Sequence, residues 1–172
     1  MYYVGIDCGL DGAIAVLNSD GTVFRIVKMP TVKKGKGRKI DLPQLWLEIW
    51  NPSGLTARES RKFTIGVEDP GGHAPSAAGL RSMTYSFAAV EAYVSASRHR
   101  YATYPAKEWQ DTFWKKPKMA KGQKFDTKAA ALVAAKRIWP EQSFLATEKS
   151  TVPHDGIVDA LLIAEHTRRQ FR

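Results

Sequence analysis

Four acids in this chain stand at positions where carboxylates can do chemistry. Asp155 and Asp159 fall four residues apart in the closing run "HDGIVDALLIAEHTRRQF". That run has helical periodicity, so the two side chains stack one turn above the other with about 6 Å of rise between them. Asp7 closes the β-rich run "YYVGID", and Glu68 sits near the end of a later one, "KFTIGVED". If those runs are neighbouring strands and the last helix lies against them, all four acids meet at one edge of a sheet. The sequence places no matching set of four cations beside them. Carboxylates crowded at a buried edge raise one another's pKa, and the arrangement is costly unless cations occupy it. Oxygen-only donors favour Mg²⁺ and Mn²⁺ over zinc. Two such ions about 4 Å apart stabilise the attacking and leaving oxygens of a phosphodiester cleaved by in-line attack of water. The chemistry implied is metal-dependent phosphodiester hydrolysis.

Each acid also has an ordinary use. Asp7 suits a turn before Gly9, Glu68 and Asp69 suit a solvated strand end, and Asp155 suits a helix N-cap whose charge complements the dipole. Asp159 is harder to place this way, because Ile157, Val158, Ala160, Leu161 and Leu162 surround it in sequence. An unpaired charge among such neighbours is expensive.

These acids need elements to position them. "YYVGID", "AIAVLN" and "VFRIVKM", joined by short Gly-rich turns, predict a three-stranded meander. "PTVKKGKGRK" reads as a mobile basic loop, and "DLPQLWLEIWN" as a short helix with Asp41 as its N-cap. "KFTIGVED" predicts a fourth strand and "PGGHAPSA" a loop. Residues 76–97 then predict a long buried helix, with Tyr85 and Phe87 in the core. "HRYATYP" predicts a fifth strand, "PAKEWQDTFW" a helix, and "KKPKMAKGQKFD" a lysine-rich loop. Two helices follow, in "TKAAALVAAKRIW" and in the closing run. The sum is an α/β chain with a mixed sheet, and with no repeat or linker it reads as one domain over 1–172.

The 26 Lys and Arg against 17 Asp and Glu leave a formal net charge of +9. That balance favours a phosphate-rich partner, nucleic acid first. Cys8 is the only cysteine, which excludes an intramolecular disulfide and a Cys-based zinc site. The first residues lack a basic leader and no apolar run approaches membrane-spanning length. The expectation is a soluble, cytoplasmic protein with no membrane partner.

Taken in order, "GIDCGLDGAIAVLN", "VEDPGG", "DTKAAALVAAKRIWP" and "HDGIVDALLIAEH" resemble the RuvC-type Holliday junction resolvases, especially the short phage-like branch, over nearly the whole chain. The resemblance implies an RNase H-like fold, a five-stranded mixed sheet flanked by helices. It also implies a homodimer that binds four-way DNA junctions and nicks two opposed strands with Mg²⁺ or Mn²⁺. It carries Asp7, Glu68 and Asp159 over as metal-binding acids.

The chain departs from the family's pattern twice. Family members commonly set a further acid, or a histidine, three residues before the last acid, and here that residue is Gly156. Asp155 is then the choice to complete the set, with His154 the alternative. Members of the phage-like branch also tend to carry a lysine where "PAKEWQ" has Gln110, which leaves Lys107 or the lysine-rich loop as its replacement. Lys128 falls where the family's other active-site lysine does, and would counter the charge developing on the phosphorane.

Lys33, Lys34, Lys36, Arg38 and Lys39 form one basic cluster, and Lys115, Lys116, Lys118, Lys121 and Lys124 another. Gly35, Gly37 and Gly122 are expected to keep both flexible enough to order on phosphates. His73 and Arg81 follow Glu68, in a region that borders the junction centre in the family, where an inserted side chain helps unstack the crossover. Competing readings are a broader branched-DNA nuclease, an RNA–DNA hybrid nuclease and a junction-binding module without catalysis. "GIDCGLDGAIAVL" also resembles the first phosphate loop of the actin and sugar-kinase superfamily, whose second lobe does not fit in 172 residues.

Overall fold

A computed structural model of the protein describes residues 1–50, 63–72, 76–120 and 122–172. Strands β1 (Tyr2–Ile6), β2 (Ala13–Asn18) and β3 (Val23–Lys28) form the expected antiparallel meander. β1 and β2 are buried along almost their whole length, as continuous apolar runs in a doubly covered sheet must be. Before the parallel strands come β4 (Thr31–Lys34), β5 (Gly37–Ile40) and helix α1 (Leu42–Trp50). β6 (Phe63–Asp69) pairs in parallel with β1, and β7 (Arg100–Pro105) in parallel with β6. The main sheet therefore has the order β3-β2-β1-β6-β7, and the five-stranded mixed sheet of the expectation is present.

Helices α2 (Ala77–Ala96), α3 (Ala106–Phe113), α4 (Thr127–Ile138) and α5 (Asp155–Gln170) complete the described elements. Strand alternation divides the core between the two faces of the sheet. Val4, Ile6, Ile65 and Val67 pack with Leu45 and Ile49 of α1 and with Val90 and Val94 of α2. Tyr3, Ala13 and Ala15 pack on the other side with Trp109, Ala135, Leu161 and Ala164 from α3, α4 and α5.

α5 is buried from Gly156 to Arg168 except at Asp159. It reaches the sheet backbone because a Cβ on Gly5 would lie only 2.1 Å from the Ala160 carbonyl oxygen. No other residue at Gly5 lets strand and helix touch main chain to main chain. The polar end of the helix is satisfied internally, since buried Glu165 accepts from Arg168 at 2.7 and 2.9 Å and from Arg169 at 2.8 Å.

The structure corrects three expectations. Residues 31–40 form a hairpin rather than a mobile loop, with Lys34 opposite Gly37 across a two-residue turn. Gly35 takes φ +59° there while Lys36 does not go positive, the pattern of a II′ turn, which wants glycine first. Charged residues hid the strands, because an exposed hairpin carries no apolar alternation. The second correction concerns α2, in which only Ser86, Val90 and Val94 are buried. The third is Tyr85, which is 56 % exposed rather than core, while Phe87 packs partly buried against the core. The described part of the lysine-rich stretch 115–126 has no helix or strand, as expected. Among the described residues no helix is long and apolar enough to cross a membrane.

Candidate active site

The β1–β6 ladder ends with Ile6 opposite Val67, so Asp7 and Glu68 are the next residues on neighbouring parallel strands. Gly5 and Gly66 both face α5, since a Cβ on Gly66 would lie 2.0 Å from Thr167 Oγ1. Two residues further along each strand, Asp7 and Glu68 share that face. α5 runs with its first turns toward this edge, which brings Asp159 to the same place.

Local contacts hold each carboxylate. Asp7 Oδ1 accepts from the Gly9 N–H at 2.9 Å, and the Asp7 N–H donates to Ala13 O at 3.1 Å. Glu68 Oε1 accepts from the indole Nε1 of Trp109 at 3.4 Å. Trp109 is buried, and Trp114 packs edge-on against it with ring centroids 5.9 Å apart. This partner of Glu68 was not anticipated. The spacing of Trp109 and Phe113 marks the buried face of α3, but not which acid that face meets. Asp155, one turn before Asp159, is exposed and ion-paired with Lys128 Nζ. Lys128 is set in the first turn of α4, which Asp126 caps by accepting from the Ala129 N–H at 3.0 Å. One of the four acids thus has a cation after all.

The charges of these groups are strongly coupled. Glu68 is pushed up to about 8, first by burial and then by the charges of Asp7 and Asp159, against the Trp109 hydrogen bond. Asp159 is pushed up to about 7, first by burial and then by Asp7 and Asp155, with Lys128 opposing. Asp7 is raised, first by burial, while the Gly9 hydrogen bond and the His154 charge hold it down. Three carboxylates from two strands and one helix therefore feel one another, with His154 and the Lys128 ammonium at the rim.

Such a set fits a hard divalent cation. All its donors are oxygens, and burial with mutual repulsion is the condition that a positive ion relieves. Among the described residues no three or more His, Cys, Asp or Glu side chains are already drawn close enough to enclose an ion. The carboxylates share a field rather than a closed shell.

Gly156 explains the departure at the third acid. A Cβ there would lie 2.6 Å from Asp11 O and 2.7 Å from Gly12 Cα, so this position is closed to an acid or a histidine. Of the two remaining candidates, His154 is the N-cap of α5, and its Nδ1 accepts from the Ile157 N–H at 3.4 Å. Its ring proton then sits on Nε2. Asp155 raises both Asp7 and Asp159 by its charge and so stands near both. Lys107 is not brought to the acids. It pairs with Asp111 at 2.6 Å, and lies about 200° around α3 from Trp109.

The hairpin splits the first basic cluster between two faces. Val32 and Lys39 look toward α2, and Lys34 Nζ lies 5.1 Å from the Tyr85 ring centroid. Arg38 and Lys33, opposite each other in the ladder, look the other way. Arg38 Nη2 donates to Asp11 Oδ1 at 2.9 Å, beside the Asp7 turn. Lys36 is exposed at the hairpin tip, and Arg81, Lys115, Lys116, Lys118 and Lys124 are also exposed. His73 and Lys121 lie outside the described residues.

No protein-family model and no curated protein sequence matches the chain. Solved structures do. T. thermophilus RuvC in complex with Holliday junction substrate matches with a TM-score of 0.58 at 14 % identity, covering 99 % of this chain and 96 % of that one. A second Thermus thermophilus RuvC structure matches with the same values. The fold is RuvC-like. It belongs to the α/β, RNase H-like type, and at 14 % identity the likeness is one of fold. In this RuvC-like fold Asp7 and Glu68 lie at the C-terminal edge of two neighbouring parallel strands, and Asp159 lies on the helix that crosses them.

Proposed function

We propose that this chain is a Mg²⁺- or Mn²⁺-dependent DNA endonuclease of the RuvC type, nearest the phage-like branch, that resolves four-way junctions as a homodimer by paired nicking of opposed strands. The observation that carries this reading is the convergence of Asp7, Glu68 and Asp159 on one edge of a RuvC-like sheet, where Glu68 is pushed to about 8 and Asp159 to about 7. A structural neighbour that was solved with Holliday junction substrate adds support for branched DNA as the partner.

Asp7, Glu68 and Asp159, with Asp155 at the rim, would hold one or two such ions. When bound, Mg²⁺ supplies positive charge that offsets the charge developing at the reacting phosphate. Trp109 fixes one oxygen of Glu68 so that the carboxylate keeps its orientation in a buried wall. Lys128, released from Asp155, presents its ammonium to a phosphoryl oxygen and counters the same developing charge. The hairpin lysines on one flank and the lysine-rich loop on the other neutralise backbone phosphates without reading sequence. A two-fold dimer offers two equivalent sites to a two-fold junction.

The test is cleavage of a four-way junction, a Y-fork and an RNA–DNA hybrid, each with Mg²⁺ and with EDTA. Symmetric paired nicks in the junction, lost in EDTA, are expected. An Asp7→Asn protein should still bind the junction and leave it uncut. Cutting by that variant would remove the proposed site. Equal trimming of every branched substrate would point instead to a broader nuclease, and hybrid cleavage to a ribonuclease H activity.

A further inference from the structure

Next to the acids lies a mostly polar cavity of about 150 Å³, bounded by Asp11, Gly12, Lys28, Thr31, Arg38 and His154. Its walls come from the β1–β2 turn, the end of β3, the hairpin and the N-cap of α5. It adjoins the Asp7 environment, since a Cβ on Gly12 would lie 2.9 Å from the Asp7 carboxyl carbon. The cavity offers roughly five waters' worth of space, and two cationic side chains, Lys28 and Arg38, line it.

Arg38 is held here as a fork. Its Nη2 donates to Asp11 Oδ1 at 2.9 Å, and its Nη1 lies 3.5 Å from the Leu10 carbonyl oxygen. The Asp11 side chain is 82 % exposed, so this pair is screened and easily exchanged. A phosphate matches the guanidinium fork at least as well as a carboxylate does and carries further acceptor oxygens for a second cation. Lys28 stands ready as that cation, at the end of β3 opposite Ala13.

We propose that this cavity receives a backbone phosphate of the bound strand, neighbouring the phosphodiester that faces the acids. Arg38 and Lys28 are its ligands, and Asp11 is a placeholder that occupies Arg38 in the free protein. The proposal rests on the nuclease reading above and deepens it, because such an anchor sets which phosphodiester is presented to Asp7, Glu68 and Asp159.

The experiment measures four-way-junction binding in EDTA over a range of salt for the wild type, Arg38→Ala, Lys28→Ala, Asp11→Asn and the Asp11→Asn/Arg38→Ala double variant. All three positions are exposed, and urea unfolding of each variant verifies the fold. Arg38→Ala and Lys28→Ala are each expected to lower the slope of log K against log salt by about one. Asp11→Asn is expected to tighten binding about two- to fivefold, and the gain should vanish when Arg38 is absent. A gain that persists without Arg38, or a salt slope unchanged by Arg38→Ala, overturns the proposal. Wild-type cleavage in Mg²⁺, run in parallel, separates the two readings. Intact cutting without the Asp11–Arg38 coupling removes the cavity's role alone, whereas coupling without cutting removes the nuclease reading and leaves a phosphate-binding cavity. Failure of the wild type to bind the junction removes both.

Discussion

Gly156 meets Asp11 so closely that a Cβ would lie 2.6 Å from the Asp11 carbonyl oxygen. The first turn of α5 therefore rests directly on the β1–β2 turn, and this contact sets the depth at which the helix carries Asp159 to the strand ends. Alanine favours a helix over glycine by about 1 kcal/mol, yet here its methyl group meets backbone that cannot step aside. Gly156→Ala is expected to destabilise the protein by about 1 to 3 kcal/mol, read as a lower urea midpoint. A midpoint that rises would mean that the two turns are not in contact. Gly156→Asp should lose more, even though it supplies the acid that the resemblance to RuvC-type resolvases implies at that spacing.

The coupled acids make stability depend on pH in a definite direction. Glu68 moves from its ordinary 4.5 to about 8, and Asp159 from 3.8 to about 7. Between those limits the folded chain holds protons that the unfolded chain has released. Their contribution to stability is therefore fully present below the ordinary values and is lost as pH rises through the folded ones. In EDTA, Tm is expected to fall by about 5 °C or more between about pH 5.5 and about pH 8.5. Glu68→Gln keeps the shape and removes the charge, so it should flatten that fall while abolishing cleavage. A Tm that increases over this range would contradict the burial and mutual repulsion of the acids.

The same values predict proton release on metal binding. Near neutral pH, Glu68 at about 8 and Asp159 at about 7 hold a substantial fraction of their protons, and a cation must displace them. Titrating Mg²⁺ into the metal-free protein in buffers of different ionisation enthalpy should show about one proton released per binding event near pH 7. Asp159→Asn should reduce that number. Binding with no proton exchange would show that the ion sits elsewhere.

How much of this was legible in the sequence depended on how local each feature is. The strand ends at Asp7 and Glu68 were legible because apolar, β-branched runs that stop at acids followed by Gly or Pro mark buried strands. The helix carrying Asp159 was legible because its apolar spacing is unbroken. The hairpin at 31–40 was hidden by its lysines, whose strand pairing rests on the turn at Gly35 rather than on an apolar face. Trp109 meets Glu68 across 41 positions, and Arg38 meets Asp11 across 27. Such pairs follow from how α3 and the hairpin dock, which no window of sequence contains. Gly156 looked like a gap in a motif, and only the packing of α5 on the turn shows it to be a contact.

Lys128 and the two candidates for the last ligand can be separated by the severity of single substitutions. The Lys128–Asp155 pair is 73 % and 51 % exposed at its side chains, so it adds little stability, and losses from changing either residue report on chemistry. Lys128→Ala is expected to lower kcat about 10- to 100-fold with a smaller effect on junction affinity, since it removes charge that matters most at the transition state. Asp159→Asn should cost beyond about 1,000-fold, and Asp155→Asn about 10- to 100-fold if it completes the metal set from the rim. His154→Ser retains an oxygen that can cap α5, so the helix keeps its start while the imidazole is lost. A loss of only a few-fold is expected there. If His154→Ser proves as severe as Asp159→Asn while Asp155→Asn is mild, then the histidine is the ligand, and Asp155 serves only to tether Lys128.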